Sequence, residues 1–390
     1  MALSTRITTL TGGGSDGWEV FLKARRMIAE GTAVTELTIG EHDIRTAAPI
    51  LQEMHNSAMG GHTGYAMVPG TDTLRDIVAK RTTERTGVAT TRDNVLITPG
   101  GQSALFAAHA AACDPGDTAL YIDPFYATYP GTIRGVSAIP RSIPTRAEDA
   151  FQPRSLDIEA AATGAASLLI NSPNNPTGTV YSRATLSGIA DVCQRTDLWL
   201  ISDEVYDTQV WEGAHVSPRA LPDMADRTFV IGSMSKSHAM TGSRCGWLIG
   251  PEAAIANLIT FATHTTYGVP GFVQDASAFA LSRGAEFEAE IGAPFQRRRA
   301  IAQTVLSQQN TVGLIPAQGA MYLMLDIRAT GMSGDAFANA LLDAEHIAVM
   351  PGESFGTAAA GHVRVAMTIE DHAFKAALRT LCRFAETRAA

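Results

Sequence analysis

Six short apolar runs constrain this chain of 390 residues more than any other feature. They lie near residues 95, 120, 169, 200, 230 and 248, and helical stretches separate several of them. Buried strands alternating with helices predict βα units around a mainly parallel sheet. Ligands of such open sheets collect at the carboxyl ends of the strands. Five of the six runs end there in residues with chemistry: TPGGQ (98–102), DPFYATYP (123–130), NSPNNPTG (171–178), SDEVYD (202–207) and SMSKSH (233–238). Unrelated surface features would fall at both ends of the strands, so the shared end points to one site.

Lys236 is the most informative of these residues. An apolar run delivers it into a turn of small hydroxyl residues, and a second apolar run follows after Arg244. Desolvation disfavours the ammonium form and would make its amine a usable nucleophile near neutral pH. Ser233, Ser235 and the guanidinium fork of Arg244 are donors suited to a phosphate. A lysine in a serine-rich loop is also an ordinary solvated residue, so the remaining motifs carry the argument. Gly101 and Gln102 open an alanine-rich helix, whose free amides and dipole can hold an anion. A nucleophilic lysine beside a phosphate seat points to pyridoxal phosphate. Arg364 lies inside an apolar strand, where a guanidinium needs an anion; a substrate α-carboxylate would satisfy it.

Composition excludes several other classes. The chain is 45% hydrophobic and 18% charged, with a net charge of −9 and no basic block, which argues for small metabolites and against nucleic acid as partners. No segment approaches the ~20 apolar residues of a membrane span, and the N-terminus lacks an apolar signal core. Cys113, Cys193, Cys245 and Cys382 are scattered, which predicts reduced thiols with no metal site and a cytoplasmic protein.

The motifs S-x-S-K with an arginine eight residues on, N-x-P-N-N-P-T-G (171–178), P-F-Y-A-T-Y-P (124–130) and D-E-V-Y (203–206) occur in the order found in class I/II aminotransferases. The chain resembles that family, the fold type I pyridoxal 5'-phosphate enzymes, from about Gly40 to Arg364. The resemblance implies an α/β large domain with a mainly parallel, seven-stranded sheet flanked by helices, and a smaller α+β domain built from both chain ends. The boundaries expected are 1–45 for the arm and part of the small domain, 46–284 for the large domain and 285–390 for the rest.

Carried over residue by residue, the resemblance makes Lys236 the Schiff-base lysine, with phosphate contacts from Gly101, Gln102, Ser233, Ser235 and Arg244. It puts Tyr126 on the ring face, Asn175 and Tyr206 on the 3-oxygen, and Asp203 on the ring nitrogen. Gly40, Asn175 and Arg364 would bind substrate. Tyr65, in the segment Y-x-x-x-x-G-x-x-x-L-R, would reach the phosphate of the neighbouring subunit and make the site a property of a homodimer. The implied reaction moves the α-amino group of an amino acid to a 2-oxo acid with ping-pong kinetics. Dicarboxylate-specific members often carry a lysine where this chain has Gln102, which leaves aspartate or glutamate and broader neutral or aromatic donors both open. The same scaffold hosts β-lyases and decarboxylases. A transcription regulator with an aminotransferase-like domain would need a DNA-binding module, for which the motif spacing leaves no room.

Residues 15–31 read as an amphipathic helix, VTELTIG (34–40) as a strand, and a further helix starts at Thr71 or Asp72. Residues 284–309 read as a long helix, with Arg297-Arg298-Arg299 forming a solvated or interface face. Phe125 and Tyr129 are taken as packing neighbours of Tyr126. His238 reads as a packing residue, while His42 and His62 are possible pocket liners.

Overall fold

A computed structural model describes residues 1–12 and 17–389. Its central sheet has seven strands: β1 (Val95–Thr98), β2 (Thr118–Asp123), β3 (Ile139–Pro144), β4 (Ala165–Asn171), β5 (Trp199–Asp203), β6 (Thr228–Ser233) and β7 (Gly246–Ile249). Across the sheet the order is β1-β7-β6-β5-β4-β2-β3, and only β7 runs antiparallel to its neighbours. Every residue of β1, β6 and β7 is buried, as expected of strands covered on both faces. Strand β3, IPRSIP, is not among the six apolar runs because its two prolines disguise it. Proline cannot donate to a ladder on both sides, and β3 accordingly forms the sheet edge, where only Ile143 is buried.

Helices flank the sheet. The first, Gly100–Ala112, starts directly after β1, so its amino end faces the carboxyl end of the strands. Helix Asp72–Thr86 is capped by the Thr71 hydroxyl, which accepts from the Leu74 N–H at 3.4 Å. The early helix covers Glu19–Ala29; residues 15 and 16 of the expected span lie outside the described residues.

A second, antiparallel sheet joins Met350–Pro351, His362–Ala366, Tyr322–Asp326 and Gly313–Leu314 in that order. Near the other chain end, the expected strand shrinks to Thr35–Glu36, which pairs in parallel with Ile347–Ala348. Both chain ends therefore build the smaller lobe.

Helix Gly284–Leu306 links the two lobes and corrects the reading of its arginines. Arg298 is buried: its guanidinium donates to Asp43 at 3.0 and 2.6 Å and to Asp371 at 2.9 Å. Arg297 pairs with Asp371 and Arg299 with Glu212. Arg298 thus fastens the early loop to the last helix, since a buried guanidinium is tolerable when its donors meet carboxylates, while Arg297 keeps the exposed position expected of it.

Candidate active site

The carboxyl ends of β1, β2, β4, β5 and β6 and the small lobe enclose one cavity of about 330 Å³. Twelve of the thirteen expected site residues line it; Tyr65 does not. Its sides are built by different elements, so the site exists only once both lobes are folded.

At the large-sheet side, β5 ends in Asp203, a buried carboxylate. It accepts from the Tyr129 hydroxyl at 2.7 Å and from the Val205 N–H at 3.3 Å. Burial pushes its pKa up to about 6, against which these two donors favour the ionised form. Tyr129 is therefore more than a packing neighbour of Tyr126: it sits in the first turn of helix Tyr129–Gly135, where its hydroxyl reaches the carboxylate. Phe125 packs edge-on against Tyr121, with centroids 4.9 Å apart.

Lys236 occupies a four-residue helix, Met234–Ser237, after β6. Ser233 caps that turn, its hydroxyl accepting from the Ser235 N–H at 3.1 Å. The lysine amine donates to the Gly40 carbonyl, and desolvation draws its pKa below the ordinary ammonium range. No acidic side chain pairs with it directly among the described residues, and the charges of Tyr322 and Glu41 offset burial only in part.

Gly101 and Gln102 lie at the amino end of helix Gly100–Ala112, facing Ser233, Ser235 and Arg244 across the cavity. Gly100 has φ +77°, and a Cβ there would collide with the Arg244 guanidinium. The cradle is thus shaped for close backbone approach. The Gln102 side chain is committed elsewhere, donating to Thr132 at 2.7 Å and accepting from Thr128 at 3.1 Å. Its backbone and one remaining amide N–H are left for an anion.

At the small-lobe side, Arg364 is fully buried in strand His362–Ala366. It donates to Asn175 Oδ1 at 2.9 Å and to the Thr38 carbonyl, and its Nε has no partner. Its guanidinium carbon lies 4.5 Å from the Tyr322 ring centroid and 4.3 Å from that of Phe355. Tyr322 and Tyr206 share a hydroxyl contact of 3.1 Å. Tyr322 and Asn171, which holds the Asn175 N–H at 2.7 Å, escape the sequence reading. Asn171 could have been found, since it opens the N-x-P-N-N-P-T-G string. Tyr322 leaves no signal in an apolar strand.

The histidines are not cavity liners. His42 packs edge-on against Phe295, and His62 bonds Asp275 at 2.6 Å. His238 is buried, its pKa pushed down to about 3 by desolvation, in keeping with a packing role.

These donor sets fit pyridoxal phosphate: a helix amino end with hydroxyls and an arginine, a buried carboxylate, and a lysine amine. The family model for "Aminotransferase class I and II" matches residues 32–381. The chain belongs to the class I and II aminotransferases. It is 37% identical to an arginine–pyruvate transaminase of Pseudomonas aeruginosa, over 95% of each chain. It is 30% identical to an aspartate/prephenate aminotransferase of Thermus thermophilus, over 93% of each. The solved aspartate aminotransferase of Thermus thermophilus with maleate superposes with a TM-score of 0.92 at 29% identity, covering 98% of this chain and 100% of that one. As a fold type I aminotransferase, the chain uses pyridoxal phosphate to exchange amino groups between amino acids and 2-oxo acids. Among the described residues no helix is long and apolar enough to cross a membrane, and no cluster of side chains could hold a metal ion.

Proposed function

We propose that the chain moves the α-amino group of an L-amino acid to a 2-oxo acid in two half-reactions, with Lys236 as the reactive amine and Arg364 as the seat of the substrate α-carboxylate. The observation that carries this reading is Arg364 itself. It is a buried guanidinium with no acidic partner among the described residues and an orphaned Nε. Arginine cannot shed its proton to relieve burial, so the site calls for an anion that the chain does not supply.

When bound, pyridoxal phosphate supplies an aldehyde carbon and an electron-withdrawing ring. The backbone at Gly101 and Gln102, with Ser233, Ser235 and Arg244, would hold its phosphate. Asp203 would face the ring nitrogen and keep it protonated. Asn175 spends its oxygen on Arg364, which leaves its amide nitrogen, together with the Tyr206 hydroxyl, as donors for the 3-oxygen. Tyr126 offers its ring face, a contact worth about 0.5–1.5 kcal/mol beyond burial. Gly40 lies where its backbone can meet the substrate carboxylate. Lys236 Nζ, with its pKa lowered by burial, takes the proton from the substrate α carbon as a general base.

Tyr65 is 93% exposed and packs edge-on against Tyr267 at 5.4 Å. An exposed aromatic pair supports a homodimer in which Tyr65 meets the cofactor phosphate of the second subunit. The pairing of Thr35–Glu36 with Ile347–Ala348 supports grouping 1–45 with 285–390 as the small domain and reading 46–284 as the cofactor domain. Four buried free thiols fit a reducing compartment such as the cytoplasm.

The neutral side chain at Gln102, tied to Thr128 and Thr132, supports neutral or aromatic donors beside aspartate and glutamate. The relative named for arginine adds a cationic donor to the range worth testing. The deciding experiment mixes the loaded enzyme with single amino acids in the absence of acceptor and follows the visible band and the 2-oxo acid released. Loss of the band with release of the matching 2-oxo acid is expected. Pyruvate and ammonia from a β-substituted donor, with the band retained, would assign a lyase instead.

A further inference from the structure

The loop carrying Phe355 is fastened to the large sheet by a residue the reaction does not use. Asp123 ends β2, three residues before Tyr126, and is buried with 1% exposure. Its Oδ2 accepts from the Thr357 N–H and the Thr357 hydroxyl, each at 3.1 Å, and its Oδ1 accepts from the Ala358 N–H at 3.3 Å. These are the free donors at the start of the single turn Thr357–Ala359, so the carboxylate caps that turn from another lobe. Gly356 makes the approach feasible: its φ is +118°, and a Cβ there would overlap the carboxylate. A second tie runs beside it, from the Phe125 N–H to the Phe355 carbonyl at 2.9 Å.

No basic group pairs with Asp123 among the described residues. A buried carboxylate held only by neutral donors is costly to keep, and burial raises its pKa to about 6. What the arrangement does is hold the 355–358 loop against the sheet. Phe355, fully buried, is one of the two rings in contact with the Arg364 guanidinium. A guanidinium binds a carboxylate through two parallel N–H groups, so its plane must be fixed before the substrate arrives.

We propose that Asp123 is a positioning residue for substrate binding, anchoring the 355–358 loop so that Phe355 keeps the Arg364 guanidinium in the plane that accepts the substrate α-carboxylate. The inference rests on the reading of Arg364 given above. The anchor couples the lobes at the point where they must agree, because β2 also leads into Tyr126 on the cofactor side.

The test is steady-state kinetics of the pyridoxal phosphate-loaded enzyme with one reactive amino donor. Asp123→Ala should raise the donor KM about tenfold while kcat changes less than about twofold and the visible band of the bound cofactor stays in place. Asp123→Asn keeps an acceptor oxygen and should recover most of the loss. Thr357→Val, at an exposed position, should give the same split at smaller size, and it decides the matter should Asp123→Ala fail to fold. An unchanged KM in Thr357→Val and any folded Asp123→Ala, or a loss falling on kcat instead, overturns the proposal. Arg364→Ala is measured in parallel. A KM that ignores Arg364→Ala removes the carboxylate reading itself, whereas a KM that responds to Arg364→Ala alone removes only the anchor.

Discussion

The two ends of the cavity bury charge by opposite means. At the large sheet stand Asp203 and Lys236, and burial draws both toward their uncharged forms, the acid up to about 6 and the amine downward. At the small lobe stands Arg364, whose charge persists, steadied by Asn175, a backbone carbonyl and two aromatic rings. Groups whose protonation can change are gathered where protons must move. The permanent charge is set where an anion has only to be held. One cavity thus separates chemistry from recognition by the kind of side chain it buries.

That contrast breaks most plainly at Lys236. Lys236→Ala should lower turnover by at least about 10⁴-fold and abolish borohydride labelling by bound cofactor. Lys236→Arg sharpens the point: it keeps a positive charge without a removable proton, and should be as inactive as the alanine variant. Residual turnover in Lys236→Arg near the native level would mean that charge, and not the amine, is what the position supplies.

The next effect is smaller and concerns Asp203. Ionised Asp203 is the partner a protonated ring nitrogen needs, and in the cofactor-free chain this carboxyl is half protonated near pH 6. Cofactor affinity should therefore fall as pH drops through about 6, by up to about tenfold for each further pH unit. The sign for stability runs the other way. With its folded pKa raised above the ordinary value near 4, Asp203 contributes stability to the cofactor-free chain that is present below that value and lost as pH rises through about 6. Pyridoxal phosphate titrations across this window check the first statement, and thermal unfolding of the cofactor-free protein checks the second. Asp203→Asn should flatten both profiles.

The smallest expected change is at Tyr129. Its hydroxyl favours the ionised carboxylate, so Tyr129→Phe should move the Asp203 transition to higher pH with little change in turnover near pH 8. A transition left in place would mean that the hydroxyl sets geometry only.

The same contrast explains what the sequence could disclose. Residues at the large-sheet end announce themselves because an apolar strand must stop abruptly to present them. Asp203 and Asn175 break their runs with turn-forming strings, and Lys236 is conspicuous among small hydroxyl residues. Arg364 was legible for the same reason in reverse, as a charge inside an apolar strand. Tyr322 and Phe355 were not, since an aromatic in an apolar context reads as core. Asp123 resembles an ordinary strand-end carboxylate until the chain is folded and residues 357 and 358 arrive opposite it. Arg298 misled for want of the same long-range information: its partners, Asp43 and Asp371, lie 255 and 73 residues away. The edge strand β3 was hidden by the prolines that suit it to an edge.

Because β7 returns antiparallel along β6, with Ser233 opposite Gly246, Lys236 and Arg244 occupy a single hairpin connection. A cofactor gripped there would be leashed at its aldehyde and its phosphate by one short piece of backbone. Loosening of that connection would weaken both grips together and leave the phosphate to the backbone at Gly101 and Gln102, so retention of the cofactor on warming should depend on this connection more than on any other single loop.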